Sequence, residues 1–457
     1  MTESTPLGNY RRIHIVGAGG AGMSGLAKLL AQLGHQISGS DLKPSRVLES
    51  LGDLGIDAWV GHRPGPAPTW DLLVASSAVP SRDPEVEAAR TAGVPVWGRP
   101  DLLDALTSML FTIGIAGTHG KTTGTALAVT ALRSLGRDPS FMVGGELVAL
   151  NTNAHLGERD LFILEADEAF GTFEHLHLGG LVVTNVESDH LDHYGTLGQL
   201  EDSFAEVAGR VAGPLIVGID DEGGRRLAAR VDAVTYGTAA SAHWRVAGVG
   251  HSDGSVRFTL QGPRGPIPVA VAQPGLHVAR DAAGVLALLG ELGMDVPAAA
   301  AGLSDFAGVR RRFEVRARLG GITVIDDYAH HPTEVTASLE AARLGPWGRI
   351  WAVFQPHRYS RTAEHAGAFG QALAPAQQVV VTDVYSAGEA PEPGVSGRLV
   401  ADAVAAAGGE VAYVPLRRDL AGFLGGRLSE GDLVLLLGAG DITLVADELA
   451  TLLGERR

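Results

Sequence analysis

The 457-residue chain is long enough for about three domains of ordinary size. Its composition, 45% hydrophobic and 19% charged, is typical of a globular protein, and no apolar run approaches the roughly 20 residues of a membrane span. A net charge of −16 argues against a nucleic-acid-binding surface, and the absence of cysteine excludes disulfides and zinc–thiolate sites. Residues Met1 to Asn9 lack the features of a secretory signal, so we expect a cytoplasmic protein with no membrane partner.

The N-terminal segment has the layout of a dinucleotide-binding βαβ unit. A strand over Ile13 to Val16 leads into a glycine-rich turn, a helix follows over Met23 to Leu33, and a second strand over Gln36 to Ser40 ends at Asp41. On this motif alone the predicted ligand is NAD, with Asp41 on a ribose hydroxyl. His14, inside the first strand, is predicted to be a packed core histidine. The glycines expected to approach the pyrophosphate are Gly17, Gly19, Gly20 and Gly22.

A second turn of small residues follows the next apolar strand of this domain. The strand over Trp70 to Ala75 ends at Ser76 and Ser77, which either hold a ligand or only reverse the chain. Arg99 and Pro100 lie at the predicted exit from the domain. We expect this first domain to comprise residues 1–109.

A P-loop is predicted next, because an apolar strand over Phe111 to Ala116 runs into a glycine loop and then into a helical stretch over Ala126 to Leu135. Backbone N–H groups of such a loop bind phosphate oxygens, while Lys121 reaches the β- and γ-phosphates and the Thr122 hydroxyl ligates Mg²⁺. The loop is a shortened variant, since Ile115 stands where the general pattern has glycine. The alternative is a tight turn with a solvated lysine. The loop residues are Gly117, Thr118, His119, Gly120, Lys121, Thr122 and Thr123.

Further strands of the predicted central domain, residues 110–308, also end in polar residues. One ends at Glu165, and another leads into the segment that contains His190. Strands that alternate with helices indicate a mostly parallel sheet, whose ligands bind beyond the carboxyl ends of the strands. The P-loop, Glu165 and His190 are therefore expected to converge on one crevice. Residues 241 to 272 are predicted to form a small antiparallel appendage.

A third domain, residues 309–457, is predicted to begin near an arginine triplet, Arg310 to Arg312, which is either a solvated face or an anion site. Four strands in this region lead into polar segments, which favours a sheet with one functional edge. The predicted fold is therefore α/β in three domains. A Rossmann-like domain lies at each end of the chain, and a P-loop ATPase-type sheet lies between them. The polar segments begin at Asp327, Gln355, Asp383 and Gly438.

In this order the motifs resemble the Mur ligase family of peptidoglycan precursor synthesis, and the resemblance covers essentially the whole chain. The most specific segments are His330 to Glu334, which reads His-His-Pro-Thr-Glu, and Phe354 to Arg358, which reads Phe-Gln-Pro-His-Arg. Both are most similar to the member of the family that adds L-alanine. The other segments that carry the resemblance begin at Gly17, Ser38, Gly117, Glu165, Thr184, Gly308 and Gly438.

The resemblance implies an ATP- and Mg²⁺-dependent ligase with UDP-N-acetylmuramate and L-alanine as substrates. The lactyl carboxylate would attack the γ-phosphate of ATP, and the amine of L-alanine would then attack the resulting acyl phosphate and expel phosphate. The first glycine loop would hold the UDP-sugar and not NAD. The oligomeric state is left open by these motifs.

The resemblance also implies roles for individual residues. Lys121 and His190 would be catalytic, together with three residues assigned to the acyl phosphate and the amino acid: His330, Arg358 and Arg361. Arg312 and Asp327 would join the P-loop in binding ATP. Thr122 and Glu165 would ligate one Mg²⁺, and His190 a second. The UDP-sugar would contact Gly17, Gly19, Gly20, Gly22, Ser40, Asp41, Ser76 and Ser77.

Four positions depart from the family pattern. Ala169 and Phe170 replace Ser-Asp after the Glu165 motif, and Val278 and Asp281 replace two asparagines near the ATP base and ribose. No lysine follows Lys121, so a carbamylated lysine is excluded there. The departures leave two alternatives open, a ligase of the same family that joins a tripeptide to UDP-muramate and a nucleotide-binding homologue without turnover.

Overall fold

The computed structural model describes residues 6–63 and 69–454, apart from the side chains of Phe170 and Asp192. Its strands form three sheets, and contacts group the chain into two compact units. The first unit runs to Gly248 and includes Phe258–Ala270 and Ala279–Ala307. The second includes Val249–Arg257, Val271–Val278 and the chain from Gly308. Within the described ranges, no helix is long and apolar enough to cross a membrane.

The first sheet is parallel throughout and has the strand order β3-β2-β1-β4-β5, as in a Rossmann domain. The strand order reverses between β1 and β4. The carboxyl ends of these two strands therefore flank the crevice where such sheets bind ligands. The elements are β1 Arg12–Val16, α1 Ala21–Gln32, β2 Gln36–Asp41, α2 Arg46–Asp53, β3 Asp57–Val60, β4 Leu72–Ala75, α3 Pro84–Thr91, β5 Val96–Gly98 and α4 Arg99–Thr107.

The central sheet has ten strands in the order β15-β14-β13-β12-β11-β10-β6-β9-β7-β8. The P-loop strand β6 lies between β9 and β10 and is parallel to both. Its elements are β6 Thr112–Ala116, α5 Lys121–Ser134, β7 Pro139–Leu147, β8 Thr152–His155, β9 Glu158–Glu165, a 3₁₀ helix Ala169–His175, β10 Gly180–Val183, α6 Leu191–Tyr194, α7 Leu197–Gly209, β11 Leu215–Gly218, α8 Glu222–Ala228, β12 Val234–Gly237, β13 Trp244–Ser252, β14 Ser255–Gly262, β15 Gly265–Val271, α9 Leu276–Glu291, α10 Val296–Gly302 and a 3₁₀ turn Leu303–Asp305.

The strands predicted between residues 241 and 272 are present as β13 to β15, which continue the central sheet beyond β12, with β13 parallel to β12. One detail of the central sheet differs from the sequence-based expectation. Helix α5 begins at Lys121 and not at Ala126. The helix starts early because Gly120 adopts a left-handed conformation, φ +81°, which turns the chain directly into the first helical turn.

The first two sheets belong to one unit because they share a hydrophobic core. Met142 and Ala154, on the β7–β8 hairpin, are buried in the same cluster as Met23 and Leu26 of helix α1. Asn153 on that hairpin donates to the Ala21 carbonyl at 2.7 Å and accepts from the Lys28 ammonium at 2.8 Å. The domain boundaries at residues 109 and 308 stay predictions.

The third sheet has six strands in the order β16-β17-β21-β18-β19-β20. Only β16 among its described strands is antiparallel to its neighbour, so four polar strand ends lie along one edge, as predicted. The elements are β16 Glu314–Leu319, β17 Ile322–Asp327, α11 Pro332–Ala342, β18 Arg349–Phe354, α12 Tyr359–Leu373, β19 Gln378–Val381, α13 Gly397–Ala406, β20 Val411–Tyr413, a 3₁₀ turn Arg417–Asp419, α14 Leu420–Gly425, β21 Asp432–Leu437, a 3₁₀ turn Asp441–Thr443 and α15 Leu444–Gly454.

Candidate active site

The predicted P-loop lies at the carboxyl end of β6, where the register brings three strand ends side by side. Ile115 pairs with Glu165 of β9, and Ala116 pairs with Val183 of β10. The polar segments that follow these strands therefore surround the start of helix α5. The P-loop, Glu165 and the His190 segment thus follow neighbouring strands, and their convergence on one crevice stays a prediction.

The conformation of the P-loop requires its two glycines. Gly117 has a φ of +122°, and a Cβ there would lie 2.9 Å from the backbone nitrogen of Thr184 and the carbonyl oxygen of Asn185. A Cβ on Gly120 would lie 2.5 Å from an Asp281 carboxylate oxygen. The loop is also tied to the chain after β10, since the His119 N–H donates to the Asn185 side chain at 2.9 Å. At Gly117 the neighbouring backbone leaves no room for a side chain, and at Gly120, in a left-handed turn of φ +81°, a Cβ would have to displace the Asp281 carboxylate.

Lys121 lies in the first turn of helix α5 and is directed back over the loop. Its ammonium donates to the Gly117 carbonyl at 2.8 Å and to both carboxylate oxygens of Glu168 at 2.9 Å. A carboxylate oxygen of Asp167 lies 3.8 Å away. The alternative of a solvated lysine is wrong, because the side chain is only 12% exposed and fully coordinated.

The charges around Lys121 fix its protonation state. Burial alone would lower the pKa of the ammonium, but the carboxylates of Glu168 and Asp167 outweigh this effect and raise the pKa above its ordinary value. Burial also raises the pKa of Glu168, although the charge of Lys121 opposes it. At neutral pH Lys121 is therefore a fixed positive charge at the end of the P-loop.

The structure brings His190 together with Asp167 and Glu168. Their ligand atoms all lie within 4.8 Å of one another, which is close enough for one cation. His190 immediately precedes helix α6 and has a φ of 54°, and its backbone N–H donates to the Asp189 carboxylate at 2.8 Å. A left-handed conformation is uncommon for a residue other than glycine, and it turns the chain sharply at this point. Sequence reasoning missed Asp167 and Glu168 as members of this group.

The other two predicted metal ligands have different surroundings. A carboxylate oxygen of Glu165, the last residue of β9, accepts the Gly144 N–H at 2.6 Å. Thr122, in the first turn of α5, is 4% exposed. The carboxylate and hydroxyl oxygens of these residues are of the type that Mg²⁺ prefers, so the donor set of the P-loop region fits that cation.

The first glycine loop contacts the residues at the ends of both β2 and β4. Gly17 has a φ of +83°, and a Cβ there would lie 2.9 Å from the Cβ of Ser76. The Gly17 N–H donates to the carbonyl of Ser40 at 2.8 Å, and the Gly19 N–H donates to a carboxylate oxygen of Asp41 at 3.0 Å. Gly17, Gly19, Ser40, Asp41 and Ser76 thus meet where the strand order reverses. Gly20 caps helix α1, Gly22 lies in its first turn, and Ser77 is exposed in the turn after Ser76.

The buried carboxylate of Glu85, beside Ser40, was not predicted from the sequence. Glu85 accepts hydrogen bonds from Ser40 and, at 2.9 Å, from the Arg63 N–H. Burial would raise its pKa, but contacts with His14, Arg63 and Ser40 lower it to about 2. His14 is fully buried and stacks on Trp70 at 4.1 Å, so its prediction as a core histidine is confirmed. No local motif marks Glu85, since its partners come from three strands and a loop.

The second unit has its own polar edge, which begins at the end of β17. Asp327 accepts from the Ser338 hydroxyl at 2.7 Å and from the Ala329 N–H at 3.0 Å, and burial raises its pKa to about 6. Arg312 lies over the ring of Tyr328 at 4.9 Å. Arg312 thus lies over the residue that follows Asp327, so the two residues of this unit predicted to contact ATP are close to each other.

The three arginines of the triplet, Arg310 to Arg312, make different contacts. Arg310 pairs with Glu314 at 2.7 Å. Arg311 has a φ of +59° and donates to the carbonyls of Gly438 and Gly440 at 2.7 and 3.0 Å. These two arginines are structural. Arg312 therefore remains the member of the triplet predicted to bind an anion.

His330, Arg358 and Arg361 lie on segments of the second unit that follow β17 and β18. His330 Nδ1 lies 2.9 Å from the Tyr328 carbonyl, and its ring is 5.8 Å from that of His357. Burial, His330 and Arg361 lower the pKa of His357 to about 3, so this histidine is neutral. Arg358 has a φ of +70° and lies 3.4 Å from Glu389, and Arg361 is 8% exposed. The cluster contains two guanidinium groups, which are suited to pair with a carboxylate or phosphate.

The positions that depart from the family pattern have different structural surroundings. Val278 is completely buried on helix α9. Asp281, one turn later on that helix, lies against Gly120 of the P-loop. Ala169 begins the 3₁₀ helix after Glu168, and the side chain of Phe170 lies outside the described residues.

Comparisons with known proteins agree over the whole chain. Three family models match: the Mur ligase family catalytic domain over residues 12–109, the Mur ligase middle domain over 115–289, and the glutamate ligase domain of Mur ligases over 311–440. A protein of Kineococcus radiotolerans named UDP-N-acetylmuramate–L-alanine ligase is 44% identical over 97% of each chain. One of the same name from Thermobifida fusca is 40% identical over 99% of each.

Solved structures give the same picture. The crystal structure of a UDP-N-acetylmuramate-alanine ligase from Thermotoga maritima matches with a TM-score of 0.84 at 28% identity, covering 98% of this chain and 100% of its own. A murein peptide ligase from Psychrobacter arcticus shares the fold, with a TM-score of 0.72 at 24% identity over 97% and 99% of the two chains. The sequence motifs, the three sheets and these matches lead to one conclusion. The chain belongs to the Mur ligase family.

Proposed function

We propose that this protein is an ATP-dependent ligase that joins L-alanine to the lactyl carboxylate of UDP-N-acetylmuramate in peptidoglycan precursor synthesis. The observation that carries the proposal is the full-length similarity, at 40 and 44% identity, to relatives named for this activity. The P-loop with its buried, charged Lys121 supports the use of ATP. The cytoplasmic location stays a prediction.

The first step joins a carboxylate to a polyanion, so it needs fixed positive charge. Lys121 supplies one such charge at the loop, and the N-terminus of helix α5 directs N–H groups to the same place. The carboxylate oxygen bonds to the γ-phosphorus, ADP leaves, and an acyl phosphate forms. We assign Gly117 to Thr123 and, from the second unit, Arg312 and Asp327 to ATP.

The second step forms the amide bond. The amine of L-alanine attacks the acyl carbon, the tetrahedral intermediate expels phosphate, and one proton leaves the nitrogen. We assign His330, Arg358 and Arg361 to the acyl phosphate and the carboxylate of the amino acid, because guanidinium groups pair bidentately with both. His190 completes the proposed catalytic set.

Mg²⁺ is part of the proposal. Thr122 and Glu165 would hold one ion and His190 a second, and Asp167 and Glu168 offer further donors beside His190, with the ligand atoms of the three residues within 4.8 Å of one another. When bound, Mg²⁺ would neutralise phosphate charge during the transfer. Chelation with EDTA is expected to stop phosphate release, and added Mg²⁺ is expected to restore it.

The UDP-sugar is assigned to the first glycine loop, through Gly17, Gly19, Gly20, Gly22, Ser40, Asp41, Ser76 and Ser77. The position of this loop at the point where the strand order reverses supports the assignment.

Phosphate release tests the proposal directly. The enzyme is assayed with Mg²⁺, ATP and UDP-N-acetylmuramate, and the acceptor is L-alanine, glycine, L-serine or the tripeptide L-Ala-γ-D-Glu-meso-diaminopimelate. Release that depends on L-alanine is the expected result. Release with the tripeptide alone would assign the protein to the recycling reaction. ATP binding without release from any acceptor would indicate a homologue without turnover.

A further inference from the structure

Arg358 has a backbone conformation that is unfavourable for arginine. Its φ of +70° is in the left-handed region, which is costly for a residue other than glycine. Its N–H donates to the Tyr385 carbonyl at 2.9 Å, and its own carbonyl accepts the Thr362 hydroxyl at 2.7 Å. Such a conformation persists only where the surrounding structure determines it, so several contacts fix the backbone at this position.

The helix that follows Arg358 has no cap of its own. Helix α12, Tyr359–Leu373, has fifteen residues, no acidic residue in its first turn and no side-chain cap at its N-cap position, which Arg358 occupies. An arginine side chain carries only donors, so it cannot accept from the N–H groups of that turn. In this fold the acceptor comes from the loop after β19.

Glu389, in the loop between β19 and helix α13, supplies that acceptor. One of its carboxylate oxygens accepts the Ser360 N–H at 3.1 Å, and the other accepts the Ser360 hydroxyl at 2.7 Å. The second of these oxygens also lies 3.4 Å from Nε of Arg358. The carboxylate thus joins the first turn of helix α12 to the guanidinium of the residue before it.

The loop that carries Glu389 is fastened to the segment after β18. The Tyr385 N–H donates to the Pro356 carbonyl at 2.9 Å. The chain then turns through two left-handed residues, Ala387 with a φ of +51° and Gly388 with a φ of +92°. Glu389 directly follows this turn, so its carboxylate has a defined position beside helix α12.

The charge of Glu389 favours the same arrangement. Burial would raise the pKa of its carboxyl, but the hydroxyl and N–H of Ser360 and the charge of Arg358 outweigh burial and lower the pKa. Glu389 is therefore a carboxylate at neutral pH and forms an ion pair with Arg358. The two side chains are 28% and 25% exposed, so solvent weakens the attraction, and the pair serves orientation more than stability.

We propose that Glu389 is a positioning residue for the second step, which orients the guanidinium of Arg358 toward the carboxylate of the incoming amino acid. A guanidinium is planar, so a contact at Nε fixes the plane in which its Nη groups lie. Bidentate pairing with a carboxylate depends on that plane. The inference rests on the proposed function, because it requires Arg358 to bind the amino acid.

Steady-state phosphate release by the intact enzyme tests the proposal in a double-mutant cycle. Glu389→Gln keeps an acceptor for Ser360 but loses the charge, and it should lower kcat/KM for L-alanine by about tenfold, within the range for coupled neighbours. KM for ATP and for UDP-N-acetylmuramate should stay within about twofold of wild type. In an Arg358→Gly background the same change should have almost no further effect, because the group that Glu389 orients is absent. Glu392→Gln, at an exposed glutamate of the same loop, is the matched control and should behave as wild type.

Two kinetic outcomes would overturn the proposal. A loss of equal size in the wild-type and Arg358→Gly backgrounds would show that Glu389 acts only as a cap of helix α12. Equal changes in KM for all three substrates would show a general effect on the fold of this unit.

A spectroscopic measurement separates failure of this inference from failure of the proposed function. In NMR spectra of protein isotopically labelled at arginine, the Nε–H signal of Arg358 is identified by its loss in Arg358→Gly. Glu389→Gln should shift this signal, and Glu392→Gln should not. If L-alanine supports phosphate release but the signal is the same in Glu389→Gln, only the role of Glu389 is wrong. If the signal shifts but L-alanine supports no release, the contact exists, and the assignment of Arg358 to the amino acid is wrong together with the role of Glu389.

Discussion

The ammonium of Lys121 lies 2.9 Å from both carboxylate oxygens of Glu168, a residue that is 1% exposed. The pair joins the P-loop to the segment after β9, 47 positions further along the chain. The main chain of Glu168 is itself held, since the Tyr194 hydroxyl donates to its carbonyl at 2.7 Å. The cation assigned to ATP is therefore positioned by a carboxylate that has no access to solvent.

This relationship predicts that Lys121→Met affects stability as well as turnover. Phosphate release should stop, and the urea midpoint should fall, because removing one member of a buried ion pair costs about 3–5 kcal/mol. The double variant Lys121→Met, Glu168→Gln should recover most of the stability and none of the activity. UDP-sugar binding should persist in both. If Lys121→Met has the same urea midpoint as wild type, the ion pair does not stabilise the fold.

The Asp327 carboxyl predicts a dependence of stability on pH. Its pKa is raised to about 6 in the folded protein, so the protonated form is favoured by folding. The stabilisation is complete below the unfolded pKa, near 4, and is lost as the pH rises through 6. In total it amounts to about 3 kcal/mol, roughly half of which is lost above pH 5.

Asp327→Asn should remove this dependence, because an amide can keep both the Ala329 N–H and the Ser338 hydroxyl as partners. Relative to wild type, the variant should become more stable as the pH rises from 5 to 7. Urea unfolding at several pH values measures the difference. Asp419→Asn, at a 58% exposed carboxylate, is the control and should follow wild type. Parallel pH profiles for wild type and Asp327→Asn would contradict the prediction.

Arg358 and Arg361 are expected to stabilise the transition states of the proposed reaction. Replacement of either by alanine should lower kcat/KM by a factor that corresponds to several kcal/mol. Arg358 has a φ of +70°, so Arg358→Gly is needed beside Arg358→Ala to separate backbone strain from loss of the guanidinium. Equal losses in the two variants would assign the effect to the side chain. Arg343→Ala, at an exposed arginine after helix α11, is the control, and near-normal turnover in all variants would remove Arg358 and Arg361 from the site.

The glycine loop of the first sheet should tolerate no Cβ at Gly17. Gly17 has a φ of +83°, which is unfavourable for alanine, and the new Cβ would lie 2.9 Å from the Cβ of Ser76. The loop must therefore shift in Gly17→Ala. UDP binding should weaken by at least about tenfold while ATP binding is unchanged, a loss of about 1.4 kcal/mol. Gly52→Ala, in helix α2 with nothing within 4 Å of its Cβ, is the matched control. A normal affinity for UDP in Gly17→Ala would place the nucleotide elsewhere.

Residues near one another in sequence were predictable. The two glycine loops, the strand–loop–helix order around Lys121 and the polar ends of the parallel strands all follow from local patterns, because a turn or a helix start is decided by a few neighbouring residues. The dinucleotide motif by itself predicted NAD. The fingerprint specifies an anion at a helix N-terminus and not the nucleotide that carries it.

Contacts between distant segments were decided by the tertiary structure alone. Glu168 beside Lys121, Asp41 on the Gly19 N–H, Glu85 under Ser40 and Arg99 over Gly22 join residues from different strands and helices. The sequence determined by itself where a phosphate could approach the backbone, since that depends on glycine and local geometry. Only the packing of strands and helices in the folded chain determined which side-chain charges surround the two glycine loops, because burial and long-range pairing set their positions and their pKa values.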